Sequence, residues 1–150
     1  MKIAVLLKQV PDLAEELEVD DSGKALDTEY IKFRLNEYDE HALEEAVCLK
    51  EAGEASDVTA IALDGEEVDK ALFTAMAKGA DKALKLTGTG AEGSRNAAAF
   101  FSEALDSEYD LIMTGVQSVD DREGMMGPML SAMLKICLLY TSDAADELRS

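Results

Sequence analysis

Short apolar runs alternate along this chain with longer stretches in which apolar residues return every three or four positions. The first pattern marks strands buried on both faces, the second amphipathic helices. Lys2 to Val10, "KIAVLLKQV", predicts a buried strand stopped by Pro11. The mixed stretch after it carries an Asp21–Gly23 turn signal and the β-formers of "YIKF", which predict a hairpin-like excursion or a long loop. Ala42, Leu43, Ala46, Val47 and Leu49 then share one helical stripe, with Asn36 ahead as N-cap and Gly53 as the stop.

Val58 to Leu63, "VTAIAL", predicts a second strand and "EEVDKALFTAMAKG" a helix ending at Gly79. "KALKL" is a weaker strand, "SRNAAAFFSEALDS" a helix, and Asp110 to Gly115 a strand. "GPMLSAML" restarts a helix with Pro128 in its first turn. Strands alternating with helices predict an α/β fold, a doubly wound, mainly parallel sheet of Rossmann-like topology. Ligands of such sheets bind beyond the carboxyl ends of the strands, where the winding reverses. The loops after Val10, Leu63, Leu86 and Thr114 are therefore the places for a site.

Composition narrows the classes. The 150 residues are 47% hydrophobic, enough for one real core, and the formal net charge is −18 from 32 acidic and 14 basic residues. That surface repels phosphate backbones, so nucleic acid is not an expected partner. No apolar run is long enough to span a bilayer, and Lys8 and Gln9 interrupt the N-terminal run before it resembles a signal peptide. A cytoplasmic location is expected. Two cysteines at unrelated positions predict neither a disulfide framework nor a metal site. "CLLYTSDAADE" (Cys137 to Glu147) breaks the preceding pattern and resembles a translated sequencing adapter. Residues 137–150 are accordingly set apart as a non-native tail, and 1–136 as an incomplete nucleotide-binding α/β domain.

Two segments compete as ligand sites. "GTGAEG" (Gly88 to Gly93) satisfies the dinucleotide pattern G-x-G-x-x-G, but follows the weakest strand and not the first βα turn, and reads better as a connection. Thr114 to Gly127, "TGVQSVDDREGMMG", is long, polar and glycine-pinned, and leads from a strong strand into a helix start where N–H groups attract phosphate. Asp120 and Asp121 either order this loop, accept from ribose hydroxyls, or cap the following helix, the last being preferred. His41 among Glu40, Glu44 and Glu45 reads as a solvated helix face, and Cys48 as a small buried hydrophobe beside the apolar stripe. Met113, Met125, Met126, Met129 and Met133 suggest core filling or an adaptable surface near a ligand. "EELEVDD" lacks metal-ligand spacing and reads as solvated. These residues support binding and offer no catalytic constellation.

Taken together, "KIAVLLKQVPD", "LNEYDEHALEEAVCLKE" with "TAMAKGAD", and the Gly115 to Gly127 loop resemble the β subunit of the electron-transfer flavoproteins over Lys2 to Leu134. The resemblance implies an electron carrier without catalytic residues of its own. It implies a heterodimer with an α subunit that holds most of an FAD, AMP in the β subunit's own fold, and a second FAD there in bifurcating members. Acyl-CoA or other flavin dehydrogenases are the implied electron donors. Residue by residue, the implied nucleotide site is Leu6, then Asn36, Glu37, Tyr38 and Asp39, then the backbone of Leu63. The phosphate loop would comprise Gly115, Val116, Gln117, Ser118, Val119, Asp120, Asp121, Arg122, Glu123, Gly124, Met125, Met126 and Gly127. Met125 stands where the family commonly has a second Gln, and Val116 where it often has a Lys or Arg. The residues alone also allow a stand-alone ATP- or AMP-binding regulatory module, or a nicotinamide-dependent enzyme using "GTGAEG".

Overall fold

Strand alternation in this protein sends neighbouring side chains to opposite faces of one sheet, and helices cover both. The computed structural model describes residues 1–14, 18–24, 27, 31–91, 93–105 and 108–139. In chain order the elements are β1 (Lys2–Leu7), β2 (Gln9–Pro11), β3 (Phe33–Leu35), α1 (Glu37–Glu51) and β4 (Asp57–Leu63). They continue with α2 (Val68–Lys78), β5 (Lys82–Leu86), α3 (Ser94–Ala104), β6 (Leu111–Met113) and α4 (Met126–Leu134). The main sheet has the order β5-β4-β1-β6, with every pairing parallel. The chain thus winds outward from β1 through β4 to β5, then returns to lay β6 on the other side of β1. The reversal lies between β1 and β6.

Ile3, Val5 and Leu7 point to one face with Val58, Ala60 and Ala62, and are covered by Leu43, Ala46 and Val47 of α1 and Leu72 and Ala75 of α2. Ala4, Leu6 and Ile61 point to the other and meet Ala98 and Phe101 of α3 and Leu130 of α4. This is the expected doubly wound arrangement. Among the described residues no helix is long and apolar enough to cross a membrane.

The first expected strand is in fact two. Pairing with β4 ends at Leu7, and Gln9–Pro11 turns away to pair antiparallel with Phe33–Leu35. The break falls at Lys8, whose N–H donates to the Asp39 carboxylate at 2.9 Å instead of to a strand. The excursion between β2 and β3 contains the expected turn, where Gly23 N–H donates to Asp20 O at 2.9 Å. Parts of it, Tyr30 of "YIKF" among them, lie outside the described residues. So do Asp106 and Ser107 at the expected end of the third helix, and residues 140–150 of the expected tail. Helix α1 ends at its expected glycine, with Gly53 at φ +82°. The last strand stops at Met113, two residues short of Gly115, because Gly115 N–H also turns to Asp39. Cys48 is exposed, against the expectation of burial, because the buried stripe of α1 runs through Leu43, Ala46 and Val47 and leaves the next position to solvent.

Candidate functional site

Beyond the carboxyl ends of β1, β4 and β6 opens a cavity of about 540 Å³, within the range of small-molecule sites. Its walls come from five places in the sequence. β1 supplies Leu6 and Leu7 with Lys8 and Gln9, α1 supplies Asn36 and Asp39, and the β4–α2 turn supplies Leu63 to Glu66. The β5–α3 connection supplies Gly88 to Ala91, Gly93 and Ser94, backed by Ala97 and Phe101 of α3. The β6–α4 loop supplies Gly115 to Ser118, Asp120, Asp121, Gly124, Met126 and Gly127.

Asp39 organises the reversal. It sits in the first turn of α1, is 5% exposed, and accepts Lys8 N–H on Oδ2 and Gly115 N–H on Oδ1, both at 2.9 Å. One carboxylate thereby satisfies the N–H of Lys8 just past β1 and that of Gly115 just past β6. Burial pushes its pKa up to about 6, against the lowering pull of the Asn36 amide and the two backbone donors. Asn36, 4% exposed, stands at the N-cap position as expected but makes no side-chain cap bond. Its Nδ2 instead donates to Gln117 O at 2.8 Å and ties α1 to the loop.

The loop is fastened at its corner too. Ser118 and Asp121 exchange N–H and C=O bonds at 3.2 Å each, folding Val119 and Asp120 into a tight turn. Lys8 Nζ lies 2.8 Å from Asp120 Oδ2 and 3.2 Å from Ser118 Oγ, and the Ser118 hydroxyl donates to Asp120 Oδ1 at 2.6 Å. Burial raises the Asp120 carboxyl, but Lys8 and Ser118 outweigh it and hold the group below its ordinary value. The Asp121 carboxylate accepts from the Ser94 hydroxyl at the start of α3. Neither Asp caps α4, contrary to the preferred expectation. The N-cap there is Met125, without a side-chain bond, so the two carboxylates order the loop.

Two helix N-termini therefore face one cavity, α3 at Gly93–Ser94 and α4 at Met126–Gly127, neither closed by a capping side chain. Glycine serves close approach at two positions. A Cβ on Gly115 would stand 2.3 Å from Asp39 Oδ1, and one on Gly124 would stand 2.4 Å from Val116 O. Gly124 also holds φ +63°, which side-chain-bearing residues adopt at a cost.

Thirteen of the residues proposed from sequence line the cavity: Leu6, Asn36, Asp39, Leu63, Gly115, Val116, Gln117, Ser118, Asp120, Asp121, Gly124, Met126 and Gly127. Glu37, Tyr38, Val119, Arg122, Glu123 and Met125 do not; they face outward on α1 or on the loop. Sequence reading missed Lys8, Gln9 and Ser94, and it set aside "GTGAEG", whose described residues line the same cavity as the favoured loop. The signal for Lys8 and Gln9 was present: they are the two polar residues that interrupt an otherwise apolar run. His41 is exposed on α1 and does not line the cavity. Among the described residues no cluster of His, Cys, Asp or Glu has the form of a metal site.

Comparison with known proteins places this geometry. The Electron transfer flavoprotein domain family matches residues 24–144. The electron transfer flavoprotein subunit beta of Methylophilus methylotrophus is 33% identical over 138 residues, covering 89% of this chain and 52% of the relative. That of Bacillus subtilis (strain 168) is 34% identical over 146 residues, covering 94% and 55%. The mitochondrial subunit beta of Arabidopsis thaliana is 33% identical over 135 residues, covering 89% and 54%. The chain spans about half the length of the curated relatives it matches. On the agreement of family match, relatives and fold, this chain belongs to the electron transfer flavoprotein family, on its beta-subunit side.

Proposed function

We propose that this chain is the nucleotide-holding part of an electron transfer flavoprotein beta subunit, and that its cavity takes an adenine nucleotide, AMP or the AMP half of a second FAD. The observation that carries this is the meeting of two uncapped helix N-termini at one cavity on the winding reversal. Free N–H groups and the positive ends of the helix dipoles suit a phosphate. The glycines of the β6–α4 loop let backbone approach it, and Leu6, Leu63, Ala97 and Phe101 form an apolar wall suited to a purine. The residues present thus fit such a group.

In this reading the whole protein pairs with an alpha subunit, which holds FAD, and receives electrons from acyl-CoA or other flavin dehydrogenases in the cytoplasm. Flavin supplies the electron-carrying chemistry when bound. This chain's residues bind and orient: Asp39 and Asn36 fix the loop, and the helix termini hold the phosphate.

The test is a ligand count. The chain is purified, heat-denatured, and released nucleotide quantified, with AMP titrated calorimetrically into nucleotide-free protein. One AMP per chain supports the reading, and a folded chain that retains and binds neither AMP nor FAD overturns it. For the completed subunit purified with its alpha partner, one FAD and one AMP per heterodimer indicate a single-flavin carrier. Two FAD indicate a bifurcating one.

A further inference from the structure

Lys8 is held at its backbone from both sides. Its N–H donates to Asp39 and its C=O accepts Asn36 N–H at 2.9 Å, so the side chain leaves a fixed stem at the cavity rim. From there the ammonium crosses to a loop 112 residues further along, where it meets both oxygens of Asp120 at 2.8 and 2.9 Å and the Ser118 hydroxyl at 3.2 Å. The other charged residues that line the cavity are all carboxylates: Asp39, Asp64, Glu66, Asp120 and Asp121. Lys8 is the one cation among the described residues that line it. Without it, the Asp120 carboxylate would carry an unneutralised charge at the loop corner, on the lining of the cavity, and repel an entering anion.

We propose that Lys8 is a positioning residue for an anionic ligand of this cavity. Its ion pair with Asp120 holds the Ser118–Asp121 corner folded and neutralises the acid there, so that the ligand's phosphate meets the helix N-termini. Lys8 acts through Asp120 and does not itself take the phosphate. The inference rests on the nucleotide reading above for the identity of its probe.

The test compares AMP with adenosine, which shares the base and ribose and lacks the phosphate. Dissociation constants are measured for the chain and its Lys8→Met, Lys8→Arg and Asp120→Asn variants, and for the charge exchange Lys8→Asp with Asp120→Lys. Lys8→Met and Asp120→Asn each weaken AMP about three- to tenfold, the scale of one partly exposed charged contact. Adenosine is unaffected, and Lys8→Arg and the exchange recover AMP binding. Tighter AMP binding by Asp120→Asn would mean that Lys8 takes the phosphate directly and would overturn the proposal. Parallel loss of AMP and adenosine, or no recovery in Lys8→Arg, would overturn it too. Amide exchange at residues 117–121 decides independently of any nucleotide. It is faster in Lys8→Met and restored in Lys8→Arg if the strut exists, and unchanged if it does not. A wild-type chain that binds no AMP ends the nucleotide reading while leaving this exchange measurement to judge the strut.

Discussion

Gly115 donates its N–H to Asp39 at 2.9 Å, and nothing larger than glycine fits beside that carboxylate. The pair joins the first turn of α1 to the exit of β6, while the other oxygen of Asp39 holds the exit of β1. The mouth of the cavity is framed by this one buried acid.

Asp39→Asn keeps the shape and removes one acceptor, leaving an amide NH₂ against a backbone N–H. The loss is expected at about 1–3 kcal/mol, the cost of one buried unsatisfied donor. Urea unfolding of variant and parent measures it.

The pH dependence has a definite sign. In the folded chain the Asp39 pKa is raised from 3.8 to about 6, so the folded state holds the proton more tightly. Its contribution to stability is fully present below 3.8 and lost as pH rises through about 6. Stability of the parent relative to Asp39→Asn should therefore fall across that window and level off above it. A rising difference between the two unfolding curves would contradict the assignment.

Gly115→Ala and Gly124→Ala should each cost about 1–3 kcal/mol, as expected where a methyl is forced into filled space. Gly124→Ala carries the added strain of φ +63°. Thermal unfolding measures both, and nucleotide titration should show weaker binding where the folded loop is displaced.

Phe101 is 4% exposed, with one side on the core and the other on the cavity. Phe101→Ala should lower stability by about 3–5 kcal/mol. His41→Ala, on an exposed position of α1, should change it by less than about 0.5 kcal/mol. Parallel denaturation curves test the contrast.

Cys48 and Cys137 are both exposed, so both thiols should react with an aromatic disulfide reagent in the folded chain. Cys48→Ser should remove one equivalent. A thiol that reacts only after denaturation would return Cys48 to the interior.

The order of strands and helices was legible because burial imposes its own periods on a sequence, two in the sheet and near four in the helices. Even "KALKL", with only faint β character, occupies Lys82–Leu86 as a strand. The break at Lys8 was not legible, since an apolar run cannot show that a carboxylate 31 residues away will take its N–H. Cys48 failed for a smaller reason: one position along a helix turns a side chain about 100°, enough to move it from the core to solvent. Asn36 was placed correctly at a helix start, yet its amide serves a loop 81 residues away, a partner visible only in the fold. The two glycine segments looked like rivals because each follows a strand and leads into a helix, as a phosphate loop does. In the fold both line one cavity, joined where Ser94 donates to Asp121.

The ties from the loop to Lys8, Asn36 and Asp39 span 76 to 112 residues, a longer reach than the pairing of Lys2 with Asp57 that joins β1 to β4. Contacts so remote should close after the local helices and the β1–β4 pairing, because the cost of closing a loop grows with its length. Cavity formation is then among the last steps of assembly, and a molecule that recognises only the closed loop draws the whole equilibrium toward it. At a hundredfold excess over its dissociation constant, that pull amounts to about 2.7 kcal/mol. A ligand of this cavity would then be a keystone of the fold as well as an occupant.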